Sequence, residues 1–144
     1  MTSSDPVLLG IIFSDLVIRE QGTGKFSMIG CFNNYRSNAF PFVVPNFYVT
    51  VIVTNVKGKF EKLEITARIE HPKSGHVLHS VAGGLRLKEG VELDGLECIE
   101  VPFPVIQCVV PEPGTYSFVV LVNNEKVGSR PFIIGSLSQT TQLE

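Results

Sequence analysis

The chain has 144 residues, enough for one domain with a substantial hydrophobic core. Apolar residues make up 44% and charged residues only 18%, which excludes a disordered chain, and frequent glycine and proline exclude a long apolar membrane helix. The formal net charge is -2 and the lysines and arginines are scattered, so the sequence predicts no basic surface for nucleic acid.

Cysteine usage indicates a reducing compartment. The three cysteines, Cys31, Cys98 and Cys108, form no C-x-x-C pair, and an odd number in a chain of this length is not typical of a disulfide framework. No positively charged stretch precedes the apolar run 7–13, which argues against a signal peptide. We therefore expect a cytoplasmic protein.

The first third of the chain predicts a pair of strands. Residues 1–6 are polar and are expected to fray. The branched residues of 7–19 predict a strand, with Gly10 marking a bulge. A helix is the alternative for this run, since short apolar runs are ambiguous, although its β-branched residues favour a strand. After the turn at 21–24, residues 25–32 are expected to return as the partner strand.

Three further strands are predicted in the middle of the chain. Residues 47–56 are rich in valine and aromatic residues. Residues 63–69 alternate strictly between apolar and polar side chains, as in an antiparallel strand with one solvated face. Residues 77–87 follow after a turn and contain a Gly-Gly pair that predicts a bulge or sharp bend. Residues 99–110 are extended but interrupted by prolines.

The strongest pattern is a β-hairpin predicted over 111–134. Its first strand is apolar on both faces, which is typical of a covered strand. Asn123 and Asn124 suit a two-residue turn with positive φ angles. Pro131 lacks an N–H, so the returning strand is expected to lie at an edge or to bend there. Tyr116 either donates its hydroxyl to nearby backbone, as in a tyrosine corner, or is a core tyrosine with a solvated hydroxyl.

These elements predict an all-β fold. About eight strands, separated by turns at roughly ten-residue spacing and without a convincing amphipathic helix, are typical of an antiparallel β-sandwich. We expect a single domain over residues 7–134. Residues 135–144 are expected to form a polar C-terminal tail, whose last two residues, Leu143 and Glu144, are typical of an expression-vector remnant.

Four motifs add a resemblance to this prediction. They are Ile-Ile-Phe-Ser-Asp at 11–15, Gly-Lys-Phe-Ser-Met-Ile-Gly at 24–30, Pro-Gly-Thr-Tyr-Ser-Phe at 113–118 and Arg-Pro-Phe at 130–132. With them the chain resembles a family of small bacterial proteins, an uncharacterised domain of unknown function with an immunoglobulin-like β-sandwich. The resemblance implies an immunoglobulin-like fold and a bacterial origin. Its motifs are turns, glycines and core aromatics, so it implies no catalytic residue.

The three histidines, His71, His76 and His79, flank one predicted turn and are the candidate metal ligands. Histidines on neighbouring strands can bind zinc or copper. However, His76 and His79 are three residues apart and face opposite sides of a regular strand. A complete site would also need a further ligand such as Cys98 or Glu70. A metal-binding protein or an enzyme built on these histidines is the alternative to a non-catalytic function.

An aromatic segment at 40–47 is the candidate partner surface. If it is exposed, it forms an apolar patch that requires a partner. The favoured alternative is that it plugs one end of the sandwich, because the ends of a sandwich must be covered. Phe103, which lies between Pro102 and Pro104, is a second candidate for an exposed apolar patch. The candidate partner-binding aromatics are Phe40, Phe42, Phe47, Tyr48 and Phe103.

We expect a non-catalytic binding or assembly module. The sequence has no nucleophile-and-base motif, phosphate loop or dinucleotide fingerprint, whereas it has edge strands and an aromatic segment. The expected partner is a protein or a second copy of the chain, with no nucleic acid, no membrane and no cofactor. A carbohydrate-binding module is a further hypothesis. In the absence of tryptophan, phenylalanines or Tyr35 and Tyr48 would have to supply its stacking platform.

Overall fold

The structure is a computed structural model that describes residues 5–60 and 62–137, and these residues are almost entirely in strands and turns. Branched and aromatic residues dominate the longer strands, as expected for a pleated and half-buried surface. In chain order the strands are β1 (Val7–Arg19), β2 (Phe26–Phe32), β3 (Asn34–Ser37), β4 (Phe42–Val43), β5 (Phe47–Thr54), β6 (Lys57–Lys59), β7 (Lys62–Glu70), β8 (Val77–Arg86), β9 (Glu92–Asp94), β10 (Ile99–Val105), β11 (Val109–Val110), β12 (Gly114–Val122) and β13 (Glu125–Ser136).

Two main sheets contain most of these strands. Sheet A has the order β10-β5-β1-β2 and is antiparallel throughout. Sheet B has the order β3-β13-β12-β7-β8 and is antiparallel except for the parallel pair of β13 and β3. Two short ladders, β4 with β11 and β6 with β9, lie outside the main sheets. The prediction of an all-β, largely antiparallel chain is therefore confirmed.

The hydrophobic core lies between sheet A and sheet B. Buried side chains from both sheets form it. On β7 the alternation predicted from the sequence is confirmed, because every second residue from Leu63 to Ile69 is buried. Aromatic rings occupy the centre, where the ring centroid of Phe13 lies 5.3 Å from those of both Phe118 and Phe132. The core therefore joins β1 of sheet A to β12 and β13 of sheet B.

The predicted hairpin is formed by β12 and β13, and its details agree with the sequence. Asn123 and Asn124 have φ angles of 49° and 68°, which confirms the two-residue turn. The Tyr116 hydroxyl donates to the Glu112 carbonyl at 2.6 Å, so the tyrosine-corner interpretation is confirmed over the solvated one. β3 pairs only with residues 133–136 of β13, so Pro131 lies where one side of this strand is open.

Other local predictions have mixed outcomes. The ladder of β1 and β5 shifts between Leu8 and Gly10, which confirms the bulge. No register shift occurs at the Gly-Gly pair of β8, where a side chain on Gly83 would crowd the Phe103 ring of the facing sheet. The two main sheets contain nine strands rather than about eight.

One predicted boundary is corrected, and others fall outside the described residues. β13 continues to Ser136, so residues 135 and 136 are part of sheet B and not of a C-terminal tail. Their pairing with β3 is long-range and leaves no local signal in the sequence. Residues 1–4 and 138–144, which include most of the predicted frayed end and the predicted vector remnant, lie outside the described part of the chain.

The hairpin of β1 and β2 extends beyond sheet A. β1 pairs with β5 only as far as Ser14, whereas its pairing with β2 continues to Arg19 and Phe26. Residues 15–30 are therefore a two-stranded projection, which we call the arm. At its root Gly30 has a φ of +71° and lies against the Asp15 side chain.

Candidate functional site

The structure places two of the predicted partner-binding aromatics in the core. Phe47 and Phe103 are 1% and 4% exposed. Both belong to the core-facing side of sheet A, where Phe103 pairs with Val49 and Phe47 with Val105. The prediction is corrected for these two residues, because their side chains are not available to a partner in the folded chain. Strand alternation sends one of two neighbouring aromatics inward.

Phe40 and Phe42 are half-buried and close one end of the core. Their ring centroids are 6.2 Å apart, and Phe42 lies 6.3 Å from Tyr35. The short ladder of β4 and β11 holds this segment in place. These contacts agree with the alternative interpretation, in which the segment plugs one end of the core.

Tyr35 and Tyr48, the candidate sugar-stacking residues, lie in different environments. Tyr35 is packed against Phe32 and Phe47, with centroid distances of 4.5 and 6.1 Å. Burial raises the pKa of Tyr35 to about 12, and the negative charge of Asp15 adds to the effect. Tyr48 lies instead on the side of sheet A that faces away from the core. The structure therefore does not bring the two tyrosines together as a platform.

The His71 side chain stabilises the turn between β7 and β8 through hydrogen bonds. Its Nε2 lies 3.1 Å from a carboxylate oxygen of Glu112, and its Nδ1 accepts from the backbone N–H groups of Lys73 and Ser74 at 3.2 and 3.4 Å. Since the Nδ1 atom is an acceptor in this geometry, the remaining proton of a neutral ring is on Nε2 and is donated to Glu112. Both ring nitrogens are thus engaged within the protein.

The other two histidines point elsewhere. His76 is exposed in the turn, and His79 pairs with Ile69 on β8, where burial lowers its pKa. Among residues 5–60 and 62–137, no group of three or more histidine, cysteine, aspartate or glutamate side chains is arranged to hold a metal ion. The structure does not bring the three histidines together.

A surface that the sequence analysis did not single out is the side of sheet A that faces solvent. On β1, Phe13 points inward, so its neighbours Ile12 and Ser14 point outward. Cross-strand pairing continues this face across the sheet, because Ile12 pairs with Thr50, and Thr50 with Pro102. We call this surface the outer face of sheet A. Its residues are Ile12, Ser14, Leu16 and Ile18 from β1, Ile29 and Cys31 from β2, Tyr48, Thr50 and Ile52 from β5, and Glu100, Pro102 and Pro104 from β10.

The outer face of sheet A is apolar and almost uncharged. Glu100 is the only one of its twelve residues with a formal charge at neutral pH. Three side chains where it continues onto the arm, Leu16, Ile18 and Ile29, are 44%, 45% and 49% exposed. Contiguous apolar surface of this kind is typical of an interaction site.

Two buried hydroxyls lie on this face. Thr50 and Ser14 are both 0% exposed. The Ser14 hydroxyl donates to the Leu16 carbonyl at 3.3 Å, whereas the Thr50 hydroxyl has no hydrogen-bond partner among the described residues.

The outer face of sheet B is different in character. β7 presents Glu64, Thr66 and Arg68 there, and Arg68 pairs with Glu70 through a contact of 2.6 Å. Two apolar residues of β12 on this side are buried among those polar neighbours. The outer face of sheet A thus carries fewer charged side chains than the outer face of sheet B.

The fold and this face define an all-β chain with an apolar, almost uncharged surface on one of its two main sheets. A family model matches residues 9–135, and the chain belongs to that family, DUF6941, a family of unknown function. The resemblance to an uncharacterised domain is thereby confirmed. A search of curated proteins finds no match. No helix in the described part of the chain is long and apolar enough to cross a membrane.

Among solved structures the chain is similar to the Pseudomonas fluorescens alkylpurine DNA glycosylase AlkC bound to DNA containing an abasic-site analogue. The sequences are 20% identical, the TM-score is 0.42, and the match covers 72% of this chain and 28% of that one. This chain therefore spans little more than a quarter of that protein's length. The finding corrects the predicted partner class, a protein or second copy with nucleic acid excluded, since the similar structure is of a DNA-bound protein. At this TM-score the similarity itself assigns no ligand to the chain.

Proposed function

We propose that the chain is a non-catalytic binding module, built as an immunoglobulin-like β-sandwich, and that its ligand docks on the outer face of sheet A. The observation that supports this is the exposed apolar surface of that face, which bears one carboxylate, whereas the outer face of sheet B carries several charged side chains. The tyrosine corner on β12 and the two facing sheets favour the immunoglobulin-like architecture.

Such a face binds through contact area. Covering a half-exposed leucine or isoleucine removes apolar surface from water, which contributes about 1 kcal/mol for each side chain. Glu100 lies on the edge strand β10, so the centre of the face carries no charge that a ligand would have to neutralise. The ligand we expect is therefore one that presents an uncharged apolar surface of its own.

A bacterial origin and a cytoplasmic location are part of the proposal. All three cysteines are free, including Cys108, which is buried, and free thiols suit a reducing compartment.

Site-specific photocrosslinking in the cells that produce the chain tests the docking face. A benzoylphenylalanine replaces Tyr48 on the outer face of sheet A, or Thr66 on the outer face of sheet B as the matched control, since both residues are half-buried on strands. We expect a discrete adduct from position 48 and none from position 66. Mass spectrometry of the adduct then identifies the class of ligand.

A second variant links the adduct to the apolar surface. Ile52→Lys adds a charge to the same face of the strand that carries Tyr48, and we expect it to remove the adduct because a charge on the face must be desolvated on binding. Thr66→Lys is its control, and circular dichroism checks that both variants are folded. Equal adducts from both faces, or no adduct from position 48, would overturn the proposal.

A further inference from the structure

A cavity of about 400 Å³ lies where β6 ends and the chain leaves β8. It is lined by Lys59 and Phe60 on one side and by Leu87 and the turn Lys88–Val91 on the other. The turn is closed by a hydrogen bond from the Val91 N–H to the Lys88 carbonyl at 3.1 Å. This volume is within the range of small-molecule pockets. The cavity shares no residue with the outer face of sheet A.

Phe60 forms an aromatic wall of this cavity. It is half-buried and packs against the core. It also lines a second cavity of about 220 Å³ together with Val56 and Val122. Among the described residues, the ring therefore borders two open spaces. An aromatic ring in this position can stack against a flat ligand.

Two lysines give the cavity a positive charge. Lys59 and Lys88 are exposed, and within the described residues neither ammonium lies within 4.0 Å of a carboxylate. Glu89 also lines the cavity, and Glu92 is opposite Lys59 in the ladder of β6 and β9, but neither forms an ion pair with these lysines. Lysines without an internal partner attract anions, and lysine is a common phosphate ligand.

We propose that this cavity binds a nucleoside that carries a 5′-phosphate, with the base against Phe60 and the phosphate held by Lys59 and Lys88. The ring supplies stacking, which tolerates any base, and the two ammonium groups supply the charge that a phosphate requires. The same chemistry is present in a free nucleotide and in the 5′ end of a single strand.

Isothermal titration calorimetry with AMP tests the site. Adenosine, which has the base without the phosphate, and ribose 5-phosphate, which has the phosphate without the base, are the ligand controls. We expect AMP to bind more tightly than either, because only AMP makes both contacts. Lys88→Gln should weaken AMP binding about fivefold, the effect of about 1 kcal/mol from one exposed ion pair. Phe60→Leu should weaken AMP binding about fivefold or more, because the stacking contact with the base is lost.

The control variant is Lys25→Gln, an exposed lysine at the tip of the arm, which should leave AMP binding unchanged. Phe60 packs against the core, so its replacement can also affect folding. The Lys88 side chain is exposed, so weaker binding by Lys88→Gln is not a result of misfolding. No binding of AMP at millimolar concentration, or an unchanged Kd in Lys88→Gln, would overturn the proposal. A 5′-phosphorylated oligonucleotide that binds more tightly than AMP identifies a chain end as the ligand, and one that binds more weakly identifies a free nucleotide.

Discussion

Arg130 connects the two sheets through a single side chain. It belongs to β13 of sheet B, and its guanidinium donates to the Ile11 carbonyl of β1 at 2.6 Å and to the Asn33 side-chain oxygen at 2.5 Å. Its Cζ atom also lies 4.3 Å from the ring centroid of Phe13. Planar, bidentate recognition and stacking on an aromatic face are properties of arginine that lysine lacks.

We expect Arg130→Met to lower the free energy of unfolding by about 3 kcal/mol, since it removes two hydrogen bonds of a charged group that are each worth about 1.5 kcal/mol or more. Arg130→Lys should recover less than half of this. Urea denaturation measures both. Arg86→Met, at an exposed arginine on β8, is the control and should change stability by less than about 0.5 kcal/mol. An equal effect at the two arginines would contradict the role given to Arg130.

The sequence identified Arg130 only as part of a motif. Its contacts join residues more than ninety positions apart, as between Arg130 and Asn33. Pairing between distant segments leaves no periodic signal in a single sequence. By contrast, the Tyr116 hydroxyl bond reaches only four residues back, and local turn chemistry was enough to make it one of the two interpretations of this residue.

The arm is the element whose stability depends most on local geometry. It consists of the parts of β1 and β2 that lie beyond the last residue of β1 paired with β5. An isolated two-stranded hairpin is only marginally stable in water. Gly30 at its root adopts a positive φ, and a side chain there would meet the Asp15 carboxylate.

We expect Gly30→Ala to destabilise the arm by about 1–3 kcal/mol, because it combines an unfavourable backbone conformation with a steric clash. Gly22→Ala at the tip is the matched control. It has a φ of +91° but nothing within 4 Å of the added carbon, so only the backbone cost remains. Amide hydrogen exchange in residues 15–30 measures the difference. Similar exchange rates in the two variants would show that the contact with Asp15 is unimportant.

At the level of elements, the sequence predicted strands well and their solvent-facing sides poorly. β7 alternates strictly, so its buried face was evident. β1 and β5 are apolar on both sides, and such strands are usually covered on both sides. The outer face of sheet A was missed for this reason. The available signal was the same two-sided pattern in 7–19 and 47–56, with no predicted helix to cover either strand.

At the level of the molecule, the aromatic segment shows why closeness in sequence was a poor guide to a surface. Phe47 is buried in the core while its neighbour Tyr48 faces outward. The histidines are also separated by the fold. His71 contacts Glu112, whereas His79 on β8 lies opposite Ile69. Both sets were chosen by proximity along the chain, whereas strand alternation and register determine which side chains meet.

The stability of the whole molecule should fall in alkaline solution. Burial raises the pKa of the Cys108 thiol from 9.0 to about 11. The folded state therefore holds this proton more tightly than the unfolded state. As the pH rises above 9 the unfolded chain ionises first, so the free energy of unfolding decreases until the folded thiol also ionises near pH 11. Tyr35, whose pKa is raised to about 12, extends the trend to higher pH.

Urea denaturation between pH 8 and pH 11 in a reducing buffer measures this decrease. Cys108→Ala should reduce its slope, because the variant has no buried thiol to ionise. Cys31→Ala, at an exposed cysteine, should retain the slope of the wild-type chain. A slope that is unaffected by the loss of Cys108 would contradict the assignment.

The continuity of β1 has a mechanical consequence. One strand runs without a break from its pairing with β5 into the arm, and it carries Phe13 at the centre of the aromatic core. An extended strand held on both sides by hydrogen bonds resists stretching, so a pull on the arm is transmitted to the strand that holds Phe13. Tension at the tip of the arm and loosening of the aromatic core are therefore coupled along a single stretch of backbone.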